Sequence, residues 1–279
     1  MTEFQWFLLQ FVLPFILVCS GIEALYFHWK TQFDWSAMVV SLSDLFARMV
    51  VQYLLPLSIA TPVLNWAERH AIDHSLLSGW QVYVVLFVLQ DFCYYWMHRA
   101  SHRIRWFWCN HAVHHSSNDL NLSAAYRLGI FGKQMGTLLF FVPLVFLGLS
   151  PRLVYEVMTL NLLYQFWLHT TWIPNLGILE YVLNTPQAHR IHHASNKEYI
   201  DGNYGGVLIV FDRLFGTYKA HRAEVEIRYG LEHPVDSKNP VVVQFFEWRR
   251  LYSDLKNASS LKDCLRLLVK PPGWTSRSS

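Results

Sequence analysis

Residues 80–115 read WQVYVVLFVLQDFCYYWMHRASHRIRWFWCNHAVHH, an apolar run that leads without a break into two histidine boxes. The boxes are HRASH, with His98 and His102, and HAVHH, with His111, His114 and His115. A third, HRIHH, supplies His189, His192 and His193. Eight of the chain's 14 histidines fall in these three stretches. Residues three or four apart on a helix share a face, so each box reads as a preformed chelating face. Neutral imidazole is the commonest protein ligand for a transition metal, and one ion takes about four to six donors, so eight imidazoles suit two ions better than one. The spacing points to a dinuclear, all-nitrogen site. His169, in QFWLH, repeats the four-residue spacing with Gln165 and is read as a further ligand, with Gln165 as its support or a weak ligand. His28, His70, His74, His221 and His233 lack box spacing and are read as non-ligands.

The apolar run belongs to a wider pattern. A mean hydropathy of +0.18, with 53% hydrophobic and only 15% charged residues, is too apolar for a soluble enzyme of 279 residues. An all-α, integral membrane helical bundle carrying a cytosolic, histidine-rich dimetal domain is predicted. Spans are expected at Trp6–Phe27, with Glu23 as its only charge, at about Ala37–Leu64, and at Trp80–Trp96. Ile130–Leu149 and Leu153–Trp172, joined at Ser150-Pro151, read as a helical hairpin that returns His169 to the side of the boxes. The Asp44 and Arg48 pair is expected to sit near an interface or face the bundle, since an unpaired charge facing lipid is expensive. This gives three parts: N-terminal spans over 1–79, a catalytic domain over 80–235, and a helical tail over 236–279 that packs on the domain.

Lysine and arginine concentrate on the side of the boxes, so the positive-inside rule places the histidines in the cytosol and the N-terminus across the membrane. In a eukaryote that membrane is the endoplasmic reticulum, in a bacterium the inner membrane. A net charge of +3 beside spans favours anionic headgroups over nucleic acid. Cys19, Cys93, Cys109 and Cys264 form no CxxC and imply neither a zinc knuckle nor a disulfide framework.

The boxes contain no carboxylate and no HExxH, which separates them from soluble di-iron bundles and zinc proteases. An all-histidine pair suits iron that activates dioxygen against unactivated C–H bonds, work beyond any side chain. A membrane lipid is then the substrate. A metal transporter is the distant alternative, but transit sites favour the bilayer midplane and some carboxylates. No GxGxxG, flavin or haem signature is present, so an external electron donor is expected.

HRASH, HAVHHSSNDLNLSAAYR and NTPQAHRIHHASNKEYIDGNYGGVLIVFDRLFGTY resemble the fatty acid hydroxylase and sterol desaturase superfamily. SSNDLNLSAAYR, HTTWIPNLGILEYVLNTP and YGLEHP are most similar to its alkylglycerol monooxygenase branch. The resemblance covers roughly Gln90 to Val235. It implies a membrane-integral, non-haem enzyme with two iron ions held by His98, His102, His111, His114, His115, His169, His189, His192 and His193, zinc being able to replace iron on overexpression. It also implies a lipid hydroxylase or, on the same site, a desaturase. Members draw electrons from a small redox protein or, in the alkylglycerol branch, from tetrahydrobiopterin. Phe211 stands where relatives usually have Trp, a difference that bears on packing. Asn121 and Asn203, in the flanks of the boxes, are read as partners that hold an imidazole's second nitrogen. Asp212 is read either as such a partner or as a cap for the turn that ends in Gly216.

Overall fold

The structure, a computed structural model, describes residues 2–72 and 80–275. Met1, residues 73–79, with His74, and residues 276–279 lie outside it. All regular structure among the described residues is helical, apart from two isolated bridges, Leu183 with Leu208 and Ala194 with Tyr229.

Helix α1, Glu3–Lys30, starts on a reciprocal cap in which Gln5 N–H donates to the Thr2 hydroxyl at 3.2 Å and Thr2 N–H to the Gln5 side chain at 3.0 Å. Pro14 cannot donate to the helical ladder, and a π-helical stretch at Leu8–Val12 directly before it absorbs the irregularity. Helix α2, Trp35–Leu54, opens on Asp34, whose carboxylate accepts the Ser36 and Ala37 N–H groups. It stops earlier than the sequence predicts. Leu55 precedes Pro56, whose ring disfavours a helical neighbour, and the chain leaves the helix there at φ −122°. It restarts as α3, Thr61–Arg69, with Pro62 in the first turn. The expected second span, Ala37–Leu64, is therefore two helices.

Helix α4, Trp80–Arg103, runs into the first box as predicted, and α5, Arg105–His115, carries the second. The predicted hairpin is only half present. Between Ile130 and Leu149 the chain forms a 3₁₀ turn at Thr137–Phe141 and the five-residue α6, Val142–Phe146. Gly129, Gly136 and Gly148 sit at φ 71°, 89° and 95°, left-handed values that interrupt a helix whatever the apolar content around them. The second arm is the real helix α7, Pro151–Phe166, capped by Ser150. The remaining helices are α8, Pro186–His192, α9, Val210–Leu214, α10, Pro240–Lys256, and α11, Leu261–Val269.

Two of the described helices, α1 and α2, are long and apolar enough to cross a membrane. Phe11, Phe15, Val18 and Ile22 of α1 and Phe46, Tyr53 and Leu54 of α2 point outward, while their inner faces carry the buried polar residues Ser20, Glu23, Ser41 and Asp44. This inverts the pattern of a water-soluble surface helix. Asp44 does face inward, accepting the Leu128 N–H at 3.0 Å. The largest core joins α4 to α6 and α7 through Leu86, Tyr94, Leu144, Val145, Val154 and Val157. The tail packs on α5: Phe246 meets Ala112 and Leu231, Leu251 and Leu267 enclose Cys109, and Arg105 pairs with Asp254 at 2.6 Å. The four cysteines are free thiols.

Candidate metal centre

The nine predicted ligands converge, and they divide into two clusters. His98, His102, His111, His115 and His192 form one, and His114, His169, His189 and His193 the other, with the ligand nitrogens of each within 4.8 Å of one another. The division keeps HRASH as one chelating face and corrects that reading for HAVHH and HRIHH, which each serve both clusters. At about 100° per residue, i and i+4 differ by roughly 40° around the helix, whereas i+3 falls about 60° to the other side. Accordingly His111 and His115 turn to one cluster and His114 to the other, while His189 and His193 pair and His192 crosses over. The clusters touch where the His115 and His193 rings stack at 4.4 Å.

The hydrogen bonds fix which nitrogens face inward. A carbonyl oxygen can only accept, so a ring nitrogen bonded to one must carry the proton. His114 Nδ1 donates to the Arg127 carbonyl at 2.7 Å and His169 Nδ1 to the Gln165 carbonyl at 2.8 Å. Each neutral ring then presents a bare Nε2 lone pair, and these two lone pairs face each other at 3.3 Å. Burial and the neighbouring imidazoles hold the box histidines well below their usual pKa, and His192, by burial first, at about 4. Protonation is thus disfavoured as a way to relieve the repulsion. A cation between the nitrogens relieves it. Metal–nitrogen bonds of about 2.0–2.1 Å place neighbouring ligand nitrogens roughly 3.0 Å apart at right angles and 3.4 Å apart in a tetrahedron. The Nε2 separations fit: 3.1 Å for His98 to His111 and for His111 to His102, 3.0 Å for His189 to His169 and 3.1 Å for His193 to His189. His115 Nε2 and His192 Nε2 are buried without a hydrogen-bond partner among the described residues. The donor set suits a transition metal.

The groups behind the imidazoles are mostly backbone. His98 Nδ1 donates to the Tyr204 carbonyl and His192 Nδ1 to the Gly202 carbonyl, both at 2.9 Å. Asp212 fixes this loop, accepting the Tyr204 and Gly205 N–H groups and the Thr217 hydroxyl, all at 2.7 Å. Gln165 supports His169 through its carbonyl, while its side chain accepts from the Tyr94 hydroxyl at 3.0 Å and donates to Asn161 at 2.7 Å. The side chains of Asn121 and Asn203 bond backbone and hydroxyl groups rather than imidazoles. Asn121 accepts from Ser123, and Asn203 clamps Ala188 and Lys219 at φ 57°.

Three supports escape a reading confined to the boxes. Asp91 accepts from Val207 N–H, Leu208 N–H and the Asn161 amide, and a Cβ on Gly206 would come within 2.6 Å of it. Glu23 accepts the Leu122 N–H, the Thr170 hydroxyl at 2.7 Å and the Trp172 indole at 2.9 Å. Arg127 donates to the Ser41 hydroxyl at 2.9 Å and the Ala37 carbonyl at 2.7 Å. For Glu23 a signal was present, because a single charge in a 22-residue apolar run demands a partner. Of the histidines read as non-ligands, His28 meets the Trp35 indole and His70 the Trp66 carbonyl, while His221 and His233 are exposed.

A cavity of about 770 Å³ opens onto His98, His111, His114 and His169. Met97, Phe107, Met135, Met158, Leu162 and Phe166 supply much of its wall. Fold and site together define an all-helical protein with a two-cluster histidine centre beneath an apolar cavity. Residues 83–217 match the fatty acid hydroxylase family, so the chain carries a fatty acid hydroxylase domain over that stretch. It is 37% identical to the alkylglycerol monooxygenase of Homo sapiens over 82% of this chain and 50% of the relative, and 36% identical to that of Xenopus tropicalis over 83% and 51%. It is 27% identical to an ornithine lipid hydroxylase of Rhizobium tropici over 58% of this chain and 50% of that one. The chain spans about half the length of these relatives. No solved structure matches it.

Proposed function

We propose that the chain is a membrane-integral lipid monooxygenase that holds two iron ions in its two histidine clusters and hydroxylates a C–H bond of a membrane lipid with O2. The bare Nε2 atoms of His114 and His169, 3.3 Å apart and lining an apolar cavity, carry this reading. Iron bound there would supply the oxygen chemistry and the attack on an unactivated C–H bond. The chain's own residues keep nine imidazoles in place, neutral by burial, orient four of them from behind, and hold hydrocarbon against them while limiting water. Ether lipids, after the alkylglycerol relatives, and acyl or sterol-like lipids are the substrate classes. Reduction of O2 to water and an alcohol takes four electrons and the C–H bond gives two. A reduced pterin such as tetrahydrobiopterin, or a small redox protein, supplies the other two. Helices α1 and α2 lie in the bilayer, with the histidines on its cytosolic side.

The test is to purify the chain in detergent, load it with ferrous iron without oxygen, and count metal per chain. A lipid extract containing an alkylglycerol, a reductant and isotopically heavy O2 are then added and the lipids analysed by mass spectrometry. Two ions per chain and one heavy oxygen atom in a lipid product are expected. One ion per chain, or lipids that acquire no label while O2 is consumed, would sink the proposal.

A further inference from the structure

The cavity that reaches the histidines is graded along its length. On α7 the residues Tyr155, Met158, Thr159, Leu162, Gln165 and Phe166 face it at three- and four-residue spacing, so this wall extends about 16 Å from Tyr155 to Phe166. The imidazoles lie at the Phe166 end, since His169 follows directly. At the other end stand Arg48 and Gln52 of α2, with Arg48 near Tyr155. Lys133 belongs to the same end. Its carbonyl accepts the Ser58 hydroxyl at 2.8 Å, and the next residue, Gln134, donates to the Leu55 carbonyl at 2.7 Å, which ties this segment to the close of α2.

Arg48 and Lys133 both line the cavity, and among the described residues no carboxylate does. Neither cation has a carboxylate within ion-pair distance among the described residues. Asp44, one turn before Arg48, acts on it electrostatically but lies beyond ion-pair distance and gives an oxygen to the Leu128 N–H. A half-buried guanidinium with an acid one turn away but no carboxylate in direct contact leaves its donors unsatisfied inside a largely apolar enclosure, and an entering anion satisfies them. Arg48 forks, Lys133 adds a point charge, and Gln52 adds a neutral donor, a combination that fits the oxygens of a phosphate or carboxylate.

We propose that Arg48, Lys133 and Gln52 form a subsite for the anionic headgroup of a single-chain lipid, whose hydrocarbon runs along α7 to the histidines. This rests on the lipid reading above and sharpens it. With the headgroup at Arg48, carbons well along the chain meet the imidazoles, and the carbon beside a glycerol ether oxygen does not.

Binding to the metal-free chain tests the subsite apart from any turnover. Tritiated hexadecyl phosphate and tritiated hexadecanol are titrated by scintillation proximity in neutral detergent, with wild type, Arg48→Gln, Arg48→Lys and Lys133→Gln. The phosphate should bind wild type at least about tenfold more tightly than the alcohol, the span of one charge-assisted hydrogen bond. Arg48→Gln should erase that preference with the alcohol's affinity unchanged, Arg48→Lys should retain part of it, and Lys133→Gln should lower it severalfold. Should Arg48→Gln fail to fold, the Lys variants decide. Equal binding of the two amphiphiles, or a preference that Arg48→Lys and Lys133→Gln leave intact, overturns the subsite alone. Inorganic phosphate competing as well as hexadecyl phosphate overturns its assignment to a lipid. Failure of both amphiphiles to bind overturns the lipid cavity with it.

Discussion

The two histidine clusters use the same ligand chemistry and are built in opposite ways. The five-histidine cluster takes four of its members from the long helices α4 and α5, and the carbonyls behind His98 and His192 belong to the 202–204 loop that Asp212 fastens. Its supports all lie between Trp80 and Thr217. The four-histidine cluster gathers His114 from α5, His169 from the turn after α7, and His189 and His193 from the short α8. The carbonyl behind His114 comes from Arg127, whose guanidinium is anchored on α2, and the residues after His169 are anchored on Glu23 of α1. One cluster is internal to the histidine domain. The other depends on the two N-terminal helices, so what disturbs those helices reaches one cluster before the other.

The largest effect tests whether the clusters are separable at all. His115→Ala and His193→Ala each remove one member, from the five- and four-histidine clusters respectively, at the place where the two rings stack. Each should lower metal content from two ions per chain to about one and abolish turnover, with helical content unchanged by circular dichroism. Loss of both ions from either variant would show that the clusters bind as one unit and erase the contrast.

Acid should act on both clusters together. His192 titrates at about 4 in the metal-free fold against 6.5 ordinarily, because burial opposes its charge. Between those values the unfolded chain holds a proton that the folded chain lacks. Stability is therefore fully present above about pH 6.5 and falls as pH drops toward 4, on the order of 3 kcal/mol for this residue at about 1.36 kcal/mol per unit. His98, His114 and His189 are shifted in the same direction, so the decline should be steep. Denaturant midpoints of metal-free protein from pH 8 to 4 should be flat and then fall. A midpoint that does not move between pH 7 and 5 would mean the imidazoles are solvated rather than buried.

Asp212→Ala sharpens the contrast from the side of the internal cluster. It leaves the Tyr204 and Gly205 N–H groups without their acceptor and frees the carbonyl that orients His98. A loss of about 3 kcal/mol in stability is expected from two orphaned buried donors. Metal affinity of the five-histidine cluster should fall ten- to a hundredfold, as for other lost supports behind a ligand, while the four-histidine cluster keeps its ion. Stepwise metal titration resolves the two. Parallel weakening of both sites would show that the 202–204 loop serves them equally.

How much of this the sequence carries follows from what each feature is made of. Box spacing names the histidines that cluster, because imidazoles are letters in the sequence and helical periodicity collects them. It does not say which cluster each joins, since the 60° and 40° offsets of His114 and His115 acquire meaning only once α8 lies opposite α5. The carbonyls of Arg127, Gly202 and Tyr204 have no letter of their own and are invisible before the chain is folded. Hydropathy locates α1, α2 and α7 but misjudges 130–149, where glycines at positive φ outweigh apolar content, and Ala37–Leu64, where Pro56 does. Sequence alone leaves Asp212 open between two roles; it holds the loop behind His98 and also caps the turn through Thr217.

Glu23→Gln gives the smallest effect and bears most directly on the dependence of the four-histidine cluster on α1. One carboxylate oxygen accepts from the Leu122 N–H and the other from the Thr170 hydroxyl and the Trp172 indole. A glutamine keeps the shape but replaces one oxygen with an NH2 group. The threonine hydroxyl can turn to accept from it, whereas the Leu122 and Trp172 N–H groups cannot, so in either amide orientation one buried N–H loses its partner. That costs about 1–3 kcal/mol. The strain falls next to His169, one residue before Thr170, and on the 122–127 segment that ends at the carbonyl behind His114. The four-histidine cluster should therefore bind its ion severalfold to about tenfold more weakly, with the five-histidine cluster unchanged, because Glu23 touches nothing that supports it. Equal weakening of the two sites in a stepwise titration would make Glu23 a general clamp on the fold and end the asymmetry between the clusters.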